Sequence, residues 1–522
     1  MQTDKDASKN NSLNDSLQKI VQGTGLVITG SLLVYLFALI GGVLIARYWT
    51  ETEVGIYSIA SSLFVICMTI CAIGISQGSV RSIAHAKGKK EFKNIPEYIV
   101  TTFVWGGFTS IILGSMLFIF SGTIAENIFH ESSLIQPIRI YALTLPFFVF
   151  NYITVQIFRG FENIKPLVYF KYILESSLFP VFVVAIIFLN LPFAYIFYSS
   201  FLSGIIISII LIIYTLRTTS IKRYSIKLSS AAKELLVFSI PLTITHLLLL
   251  LIYWSSIILL GVFKSTGDAG FYQVASPFAQ FIMFPLGALL VTFTPVFSRI
   301  YAKGQLKDIR INYKILTKWL CLLTFPIFLM FFLFPELVLS VIVGPNYLPS
   351  SNVLRILSLA HIISNLVGPC GSTLVAMGKS QFIMFSTLAA AMLAITLGIL
   401  LIPAYNYIGA AIAFVISISF ISIINTLKIY SLGKIIPFGR NLIKPTLLLT
   451  AIIVPFYFIF NQYIPVQWWS LISLFILVYG IYIICVLVTK SLEDEDLKML
   501  IALEQKTGIK ITIISKIIKK FM

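Results

Sequence analysis

The chain has 522 residues, of which 58% are hydrophobic and 11% are charged. Soluble globular proteins carry about 25% charged residues, so this composition excludes an ordinary soluble domain and predicts a membrane protein with many spans. The formal net charge of +18 does not require a nucleic-acid partner, because Lys and Arg collect at the cytoplasmic ends of membrane helices.

Residues 1–25 are polar and lack the apolar core of a secretory signal, which predicts a cytoplasmic N-terminal tail. Apolar stretches follow, and each is long enough for a membrane helix of about 20 residues. The fourteen predicted spans are 26–46, 54–78, 98–120, 136–158, 167–189, 192–216, 234–260, 269–297, 315–335, 353–375, 381–402, 407–427, 445–461 and 467–489. The segment 490–522 begins acidic and ends basic and apolar, which predicts an amphipathic helix at the cytoplasmic membrane surface.

An even number of spans puts both termini on one side of the membrane. With both termini in the cytoplasm, most Lys and Arg residues fall on the cytoplasmic side, as the positive-inside rule requires. The cations left at the outer side are Arg47, Arg139, Lys264 and Arg355. We therefore expect a multi-pass protein of the plasma or inner membrane.

Two short strings recur about 215 residues apart: "TETEVGIY" at 50–57 and "STGDAGFY" at 265–272. Arg139-Ile140 and Arg355-Ile356 recur at nearly the same offset. Several ordered matches at a constant offset indicate an internal duplication. The predicted fold is therefore all-α, with two parallel six-helix lobes at 26–216 and 234–427. A cytoplasmic linker, 217–233, joins the lobes, and two further helices, 445–489, follow the second.

The outer cations are candidates for binding an anion, because ionisable groups within a membrane are functional candidates by default. Arg139 and Arg355 are related by the repeat, and Arg47 and Lys264 nearly so, which predicts a quasi-twofold ring of positive charge in a cavity between the lobes. The alternative is that these side chains reach lipid phosphates or pair with Glu51, Glu53 and Asp268.

Two cytoplasmic cations, Arg81 and Arg159, are further candidates for substrate binding, with ordinary positive-inside anchoring as the alternative. Within the fifth span, Lys171 and Glu175 lie four residues apart on one helix face. This spacing favours a structural ion pair, with a coupling site for a proton or cation as the alternative.

Histidines and cysteines give no sign of catalysis or metal binding. His246 and His361 lie in apolar helix faces, where packing is commoner than proton relay. The five cysteines fall inside apolar runs. The sequence therefore predicts no catalytic residue, no metal site and no cofactor, and its short loops leave no room for a catalytic domain.

The strings "GGVLIARYWTETEVGIYSIASSLF", "GISQGSVRSIAHAKGKKE" and "FRGFENIKPLVYFKYI" resemble the polysaccharide transporter family of Wzx-type flippases, in the MOP exporter superfamily. The resemblance implies a V-shaped pair of lobes and alternating access. It also implies that the substrate is a polyprenyl-(pyro)phosphate-linked oligosaccharide, moved from the cytoplasmic to the outer leaflet. Expected partners are this substrate, membrane lipid and glycan polymerase or glycosyltransferase machinery, and a monomer suffices for the two-lobe plan.

Two transporters of the same superfamily compete with this interpretation. A lipid II flippase of the MurJ type has the same architecture and a cationic cavity. A multidrug exporter of the MATE type would place acids in its cavity, whereas the candidates here are basic. A membrane glycosyltransferase or polymerase would need acidic catalytic groups or a long outer loop, and the sequence shows neither.

Overall fold

The computed structural model describes residues 26–27, 29–89, 91–218, 230–302, 304–437, 439–463 and 467–492, and every regular element in them is a helix. The predicted N-terminal tail 1–25, the centre of the predicted linker 217–233 and the predicted amphipathic tail beyond residue 492 lie outside these residues. The all-helical fold class is thus confirmed for the part of the chain that is described.

Twelve helices in the described ranges are long and apolar enough to cross a membrane. One of them, Ser380–Gly433, has 54 residues and contains Asn406 at φ 51° and ψ −137°, between the predicted spans 381–402 and 407–427. The predicted span 269–297 is occupied by two shorter helices, Thr266–Phe281 and Phe284–Ala302, which are not among the twelve. The structure therefore shows a multi-pass membrane protein, and the count of fourteen stays a prediction.

The chain divides into two compact units, Met1–Gly270 and Phe271–Met522. The helices of the first unit are α1 (Thr29–Tyr48), α2 (Glu51–Met68), α3 (Gly74–Gly88), α4 (Ile95–Ile119), α5 (Ile135–Gly160), α6 (Ser176–Phe188), α7 (Tyr195–Thr218) and α8 (Ser230–Phe263). The predicted lobes 26–216 and 234–427 stay a prediction; in this division the helix after the linker belongs to the first unit, where it packs against α2 and α3.

The described part of the first unit contains three π-helical segments. The segment Thr69–Ile73 joins α2 to α3, Leu167–Glu175 leads into α6, and the short segment Ile124–Ile128 lies between α4 and α5. Such wide turns occur frequently at functional sites. The second of them carries the predicted ion pair, which is described below.

The division between the units falls within helix α9 (Thr266–Phe281). The further helices of the second unit are α10 (Phe284–Ala302), α11 (Leu306–Leu333), α12 (Pro335–Ile342), α13 (Ser351–Val367), α14 (Cys370–Ala376), α15 (Ser380–Gly433), α16 (Arg440–Tyr463) and α17 (Trp468–Val488). Phe334, Leu449 and Leu474 are buried in one core cluster of this unit, so α16 and α17 are built into its core.

The recurring polar strings begin helices. Thr50 accepts a hydrogen bond from the backbone N–H of Glu53, and the Glu53 carboxylate accepts one from the N–H of Thr50 at 2.9 Å. At the start of α9, Ser265 accepts from the N–H of Asp268 at 3.1 Å and donates its hydroxyl to the Asp268 carboxylate at 2.7 Å. Both strings are therefore N-terminal capping motifs, which satisfy amide groups that a helix start leaves without partners.

These two helix starts contact each other within the first unit. A methyl group at Gly55 would collide with the carbonyl oxygen of Thr266, and one at Gly270 would collide with the carbonyl oxygen of Glu51. Glycine is needed at both positions because each backbone approaches the other turn too closely for a Cβ. The two matching strings thus share a helix cap, and the turns that they form touch each other.

The capping motif gives the first testable prediction. We expect Thr50→Ala to lower the free energy of unfolding by about 1 kcal/mol, because the N–H of Glu53 loses its acceptor. Thr52→Ala is the matched control, since Thr52 is exposed in the same helical turn. Denaturant titration of purified protein in mixed micelles measures both variants, and an equal loss in Thr52→Ala would contradict the assignment.

Candidate functional site

Arg139 lies in the first turns of α5 and is exposed. Its Nε donates to the hydroxyl of Ser121 at 2.9 Å, and its Cζ lies 5.6 Å from the centre of the Phe118 ring. Among the described residues, no carboxylate forms an ion pair with Arg139. The hydroxyl and the ring orient the guanidinium while its charge remains available to an anionic ligand.

Arg139 lines a pocket of about 450 Å³ in the first unit. The pocket lies where the starts of α2, α5 and α7 come together, and its wall contains Glu53, Ser132, Gln136 and Phe193 besides the arginine. A volume of this size is typical of small-molecule sites, which range from about 300 to 1,000 Å³. Sequence reasoning identified Arg139 but missed Gln136 and Phe193, which carry no charge or motif that marks them.

Arg355 has a different environment, although it is the repeat partner of Arg139. Its guanidinium pairs with the Glu336 carboxylate at 2.7 Å, and it donates to the carbonyl of Phe332 at 3.1 Å and to the side chain of Asn352 at 3.0 Å. These contacts tie α13 to the end of α11 and the start of α12. The predicted role of Arg355 in substrate binding stays a prediction, but its charge is already neutralised within the second unit.

The other predicted cations are exposed and lie in the first unit, three of them at or next to helix ends and Arg81 in the middle of its helix. Arg47 is in the last turn of α1, and Lys264 directly follows α8. Arg81 is in α3, and Arg159 at the end of α5 donates to the Gln156 side chain over 3.5 Å. Glu53 and Asp268 are two of the three carboxylates considered as partners of Arg47 and Lys264. Both form the capping contacts at the starts of α2 and α9.

Lys171 and Glu175 form the predicted ion pair, with Nζ and Oε1 separated by 3.6 Å. Their side chains are 23% and 18% exposed, and both lie in the π-helical segment before α6. Lys171 also places its Nζ 4.8 Å from the centre of the Tyr152 ring. The lysine is thus held by two partners, which favours the structural interpretation over a coupling site.

Exchanging the two charges tests this interpretation. We expect Lys171→Glu combined with Glu175→Lys to retain most of the yield of folded protein, because the pair is restored in reverse. Glu175→Gln alone leaves the lysine charge without its counter-ion, and we expect a lower yield. Size-exclusion chromatography measures the yields, and loss of transport by a well-folded exchange variant would show that the pair is not passive.

The two intramembrane histidines pack against neighbours. His246 on α8 forms a hydrogen bond of 2.7 Å with Gln77 on α3, within the first unit. His361 on α13 is buried, with its ring 5.7 Å from that of Phe414. Neither lies in the pocket around Arg139. The described residues contain no group of three His, Cys, Asp or Glu that could hold a metal ion.

Known proteins resemble the chain at the level of family and fold. A family model described as polysaccharide biosynthesis protein matches residues 20–301, and the MatE model matches residues 241–400. Stage V sporulation protein B of Bacillus subtilis (strain 168) is 21% identical over 150 residues, which cover 29% of this chain and 29% of that protein. The alignment therefore spans less than a third of the curated relative.

Solved structures extend the similarity to most of the chain. The lipid II flippase MurJ in an inward closed conformation has a TM-score of 0.65 and 16% identity, covering 87% of this chain and 97% of MurJ. An inward-facing multidrug resistance MATE transporter of the MOP superfamily has a TM-score of 0.63 and 17% identity, covering 77% of this chain and 96% of its own. These identities establish the fold alone.

The resemblance found in the sequence is thus confirmed by the comparisons. The first family model covers more than half of the chain, and the fold agrees with transporters of the MOP superfamily. The chain therefore belongs to the polysaccharide biosynthesis protein family.

Proposed function

We propose that the chain moves a polyprenyl-(pyro)phosphate-linked oligosaccharide from the cytoplasmic to the outer leaflet by alternating access, without catalysing a covalent step. The observation that carries this proposal is the guanidinium of Arg139, which lines a pocket of mixed polar and apolar side chains and has no ion-pair partner among the described residues. In a chain of this family, such a group fits the phosphate of a lipid-linked glycan.

The physical need for a cation follows from the substrate. A phosphate headgroup cannot enter hydrocarbon without a large free-energy cost unless it is paired and solvated by the protein. Arginine suits this task because its planar fork donates two parallel hydrogen bonds to phosphate oxygens. We propose that Arg139 is the main outer contact, with Arg47 and Lys264 adding positive charge to the same unit.

Arg81 and Arg159 are proposed as the first contacts for the phosphate on the cytoplasmic side. An anion that leaves an inside-negative cell gains about 2.3 kcal/mol per charge for each 100 mV of membrane potential. The membrane potential therefore favours export in the proposed direction, even without a coupling ion.

Deleting the gene tests the proposed substrate class. We expect a lipid-linked oligosaccharide to accumulate on the cytoplasmic leaflet, where a membrane-impermeant glycosidase or lectin detects it only after the membrane is opened. Accumulation of a peptide-bearing disaccharide lipid would instead assign the chain as a lipid II flippase. If no lipid-linked glycan accumulates and export of organic cations is lost, the proposal is wrong and a MATE-like function is correct.

A further inference from the structure

The pocket around Arg139 also contains hydrogen-bond acceptors, which a phosphate does not need. The Glu53 carboxylate accepts two hydrogen bonds, from the N–H and the hydroxyl of Thr50, both through Oε2. Its Oε1 has no partner among the described residues. Gln136 donates its Nε2 to the hydroxyl of Tyr198 at 3.1 Å, which leaves its Oε1 as an acceptor. The wall therefore offers a charged donor and two oriented acceptors.

One wall of the same pocket is aromatic and held in place. The ring of Phe193 lies 5.8 Å from that of Trp49 and 5.6 Å from that of Phe197, measured between centroids. Phe197 is 1% exposed. Phe193 is thus fixed by two other rings and presents a rigid apolar surface to the pocket.

This combination discriminates between classes of ligand. A second phosphate would be repelled by the negative charge of the Glu53 carboxylate. An organic cation would be repelled by the positive charge of Arg139. An apolar compound would leave the acceptors of Glu53 and Gln136 without partners, which costs free energy. A sugar ring has hydroxyl groups for both acceptors and C–H groups for the ring of Phe193.

We infer that this pocket is a glycan subsite, which takes a sugar ring of the exported lipid while Arg139 meets the adjacent phosphate. The inference rests on the proposed function, since it assigns the headgroup of the same substrate. It adds Glu53, Gln136 and Phe193 as residues that determine which glycan is accepted. Arg139 then lies at the junction of the charged and uncharged parts of the ligand.

Protection of an introduced cysteine tests the inference in purified full-length protein. Ser132 lines the pocket, and its hydroxyl forms no hydrogen bond within the described part of the chain, so Ser132→Cys places a thiol there with little disturbance. The matched control is Asn127→Cys, which is exposed nearby in the chain and does not line the pocket. The native cysteines are free and lie in the helices, so the cysteine-intact parent chain supplies their background of maleimide labelling.

The probe is the oligosaccharide released by mild acid from the lipid-linked pool of the producing cells. We expect it to slow maleimide labelling of Ser132→Cys at least about fivefold and to leave Asn127→Cys unchanged. Adding Gln136→Leu should raise the glycan concentration needed for protection roughly tenfold, the equivalent of one hydrogen bond. Inorganic pyrophosphate at equal concentration should protect less than the glycan.

Two results would overturn the glycan subsite. One is labelling of Ser132→Cys that the glycan never slows, in protein that still flips the lipid, which would leave the proposed function standing. The other is protection by pyrophosphate alone, which would make the pocket a phosphate site. Failure of the parent protein to flip any lipid-linked glycan would instead remove the proposed function, and it is measured separately.

Discussion

Replacing Arg139 with glutamine is expected to slow flipping of the lipid-linked oligosaccharide by about 10- to 100-fold, with little change in the yield of folded protein. A hydrogen bond to a charged group contributes about 1.5–3 kcal/mol, and each 1.4 kcal/mol corresponds to a factor of ten. Arg139 forms its recorded contacts with a hydroxyl and a ring, so the substitution leaves no buried carboxylate without a partner. Flipping per folded molecule in proteoliposomes is the measurement.

Arg355→Gln provides the matched control, because the two arginines occupy equivalent positions in the predicted repeat. Its loss breaks the pair with Glu336, whose side chain is 44% exposed. We therefore expect at most about 1 kcal/mol of lost stability and a flipping rate per folded molecule close to that of the parent. The opposite pattern, with Arg355→Gln slow and Arg139→Gln normal, would move the anion contact to the second unit.

Gly55→Ala is expected to separate the two repeat-related turns. Its methyl group would overlap the backbone carbonyl of Thr266, and overpacking of this kind costs about 1–3 kcal/mol. In the proposed alternating access, that cost applies to the conformation in which the turns touch, so its population should fall about 5- to 150-fold. We expect flipping to slow, because the proposed cycle passes through this conformation.

The separation can be measured directly by disulfide formation between Thr52→Cys and Gly267→Cys. A Cβ at Gly267 would lie 3.7 Å from Oγ1 of Thr52, which is close enough for a disulfide after a small adjustment. We expect rapid oxidation in the parent background and slow oxidation when Gly55→Ala is added. Gly107→Ala is the matched control, since no atom lies within 4 Å of its added methyl group; equal slowing there would contradict the contact.

Much of the fold could be predicted because membrane helices are recognisable from their apolar composition. The apolar stretches, the duplication and the polar turns at 50–57 and 265–272 all follow from local patterns. The number of spans is harder to predict. A break such as the one at Asn406 interrupts a helix, but no charged residue or long loop marks it in the sequence. The division at Gly270 could not be predicted either, because it depends on how α8 packs against α2 and α3.

The contacts of the site residues could not be predicted from the sequence. The repeat predicts that Arg139 and Arg355 are equivalent, but Glu336 pairs with Arg355, whereas no carboxylate in the described part of the chain forms an ion pair with Arg139. Glu336 lies 19 residues from Arg355 in the chain, and no spacing rule connects them. Gln136 and Phe193 become candidates only when three helix starts are seen to enclose one pocket.

The central claim is that this chain carries a phosphate-linked glycan across the bilayer, and reconstitution tests it most directly. Purified protein is placed in liposomes with the lipid-linked oligosaccharide of its own cells, and the fraction accessible to an impermeant glycosidase is followed with time. The account predicts that this fraction rises with the parent protein and rises about 10- to 100-fold more slowly with Arg139→Gln. A fraction that stays constant with well-folded parent protein, at any imposed membrane potential, would contradict it.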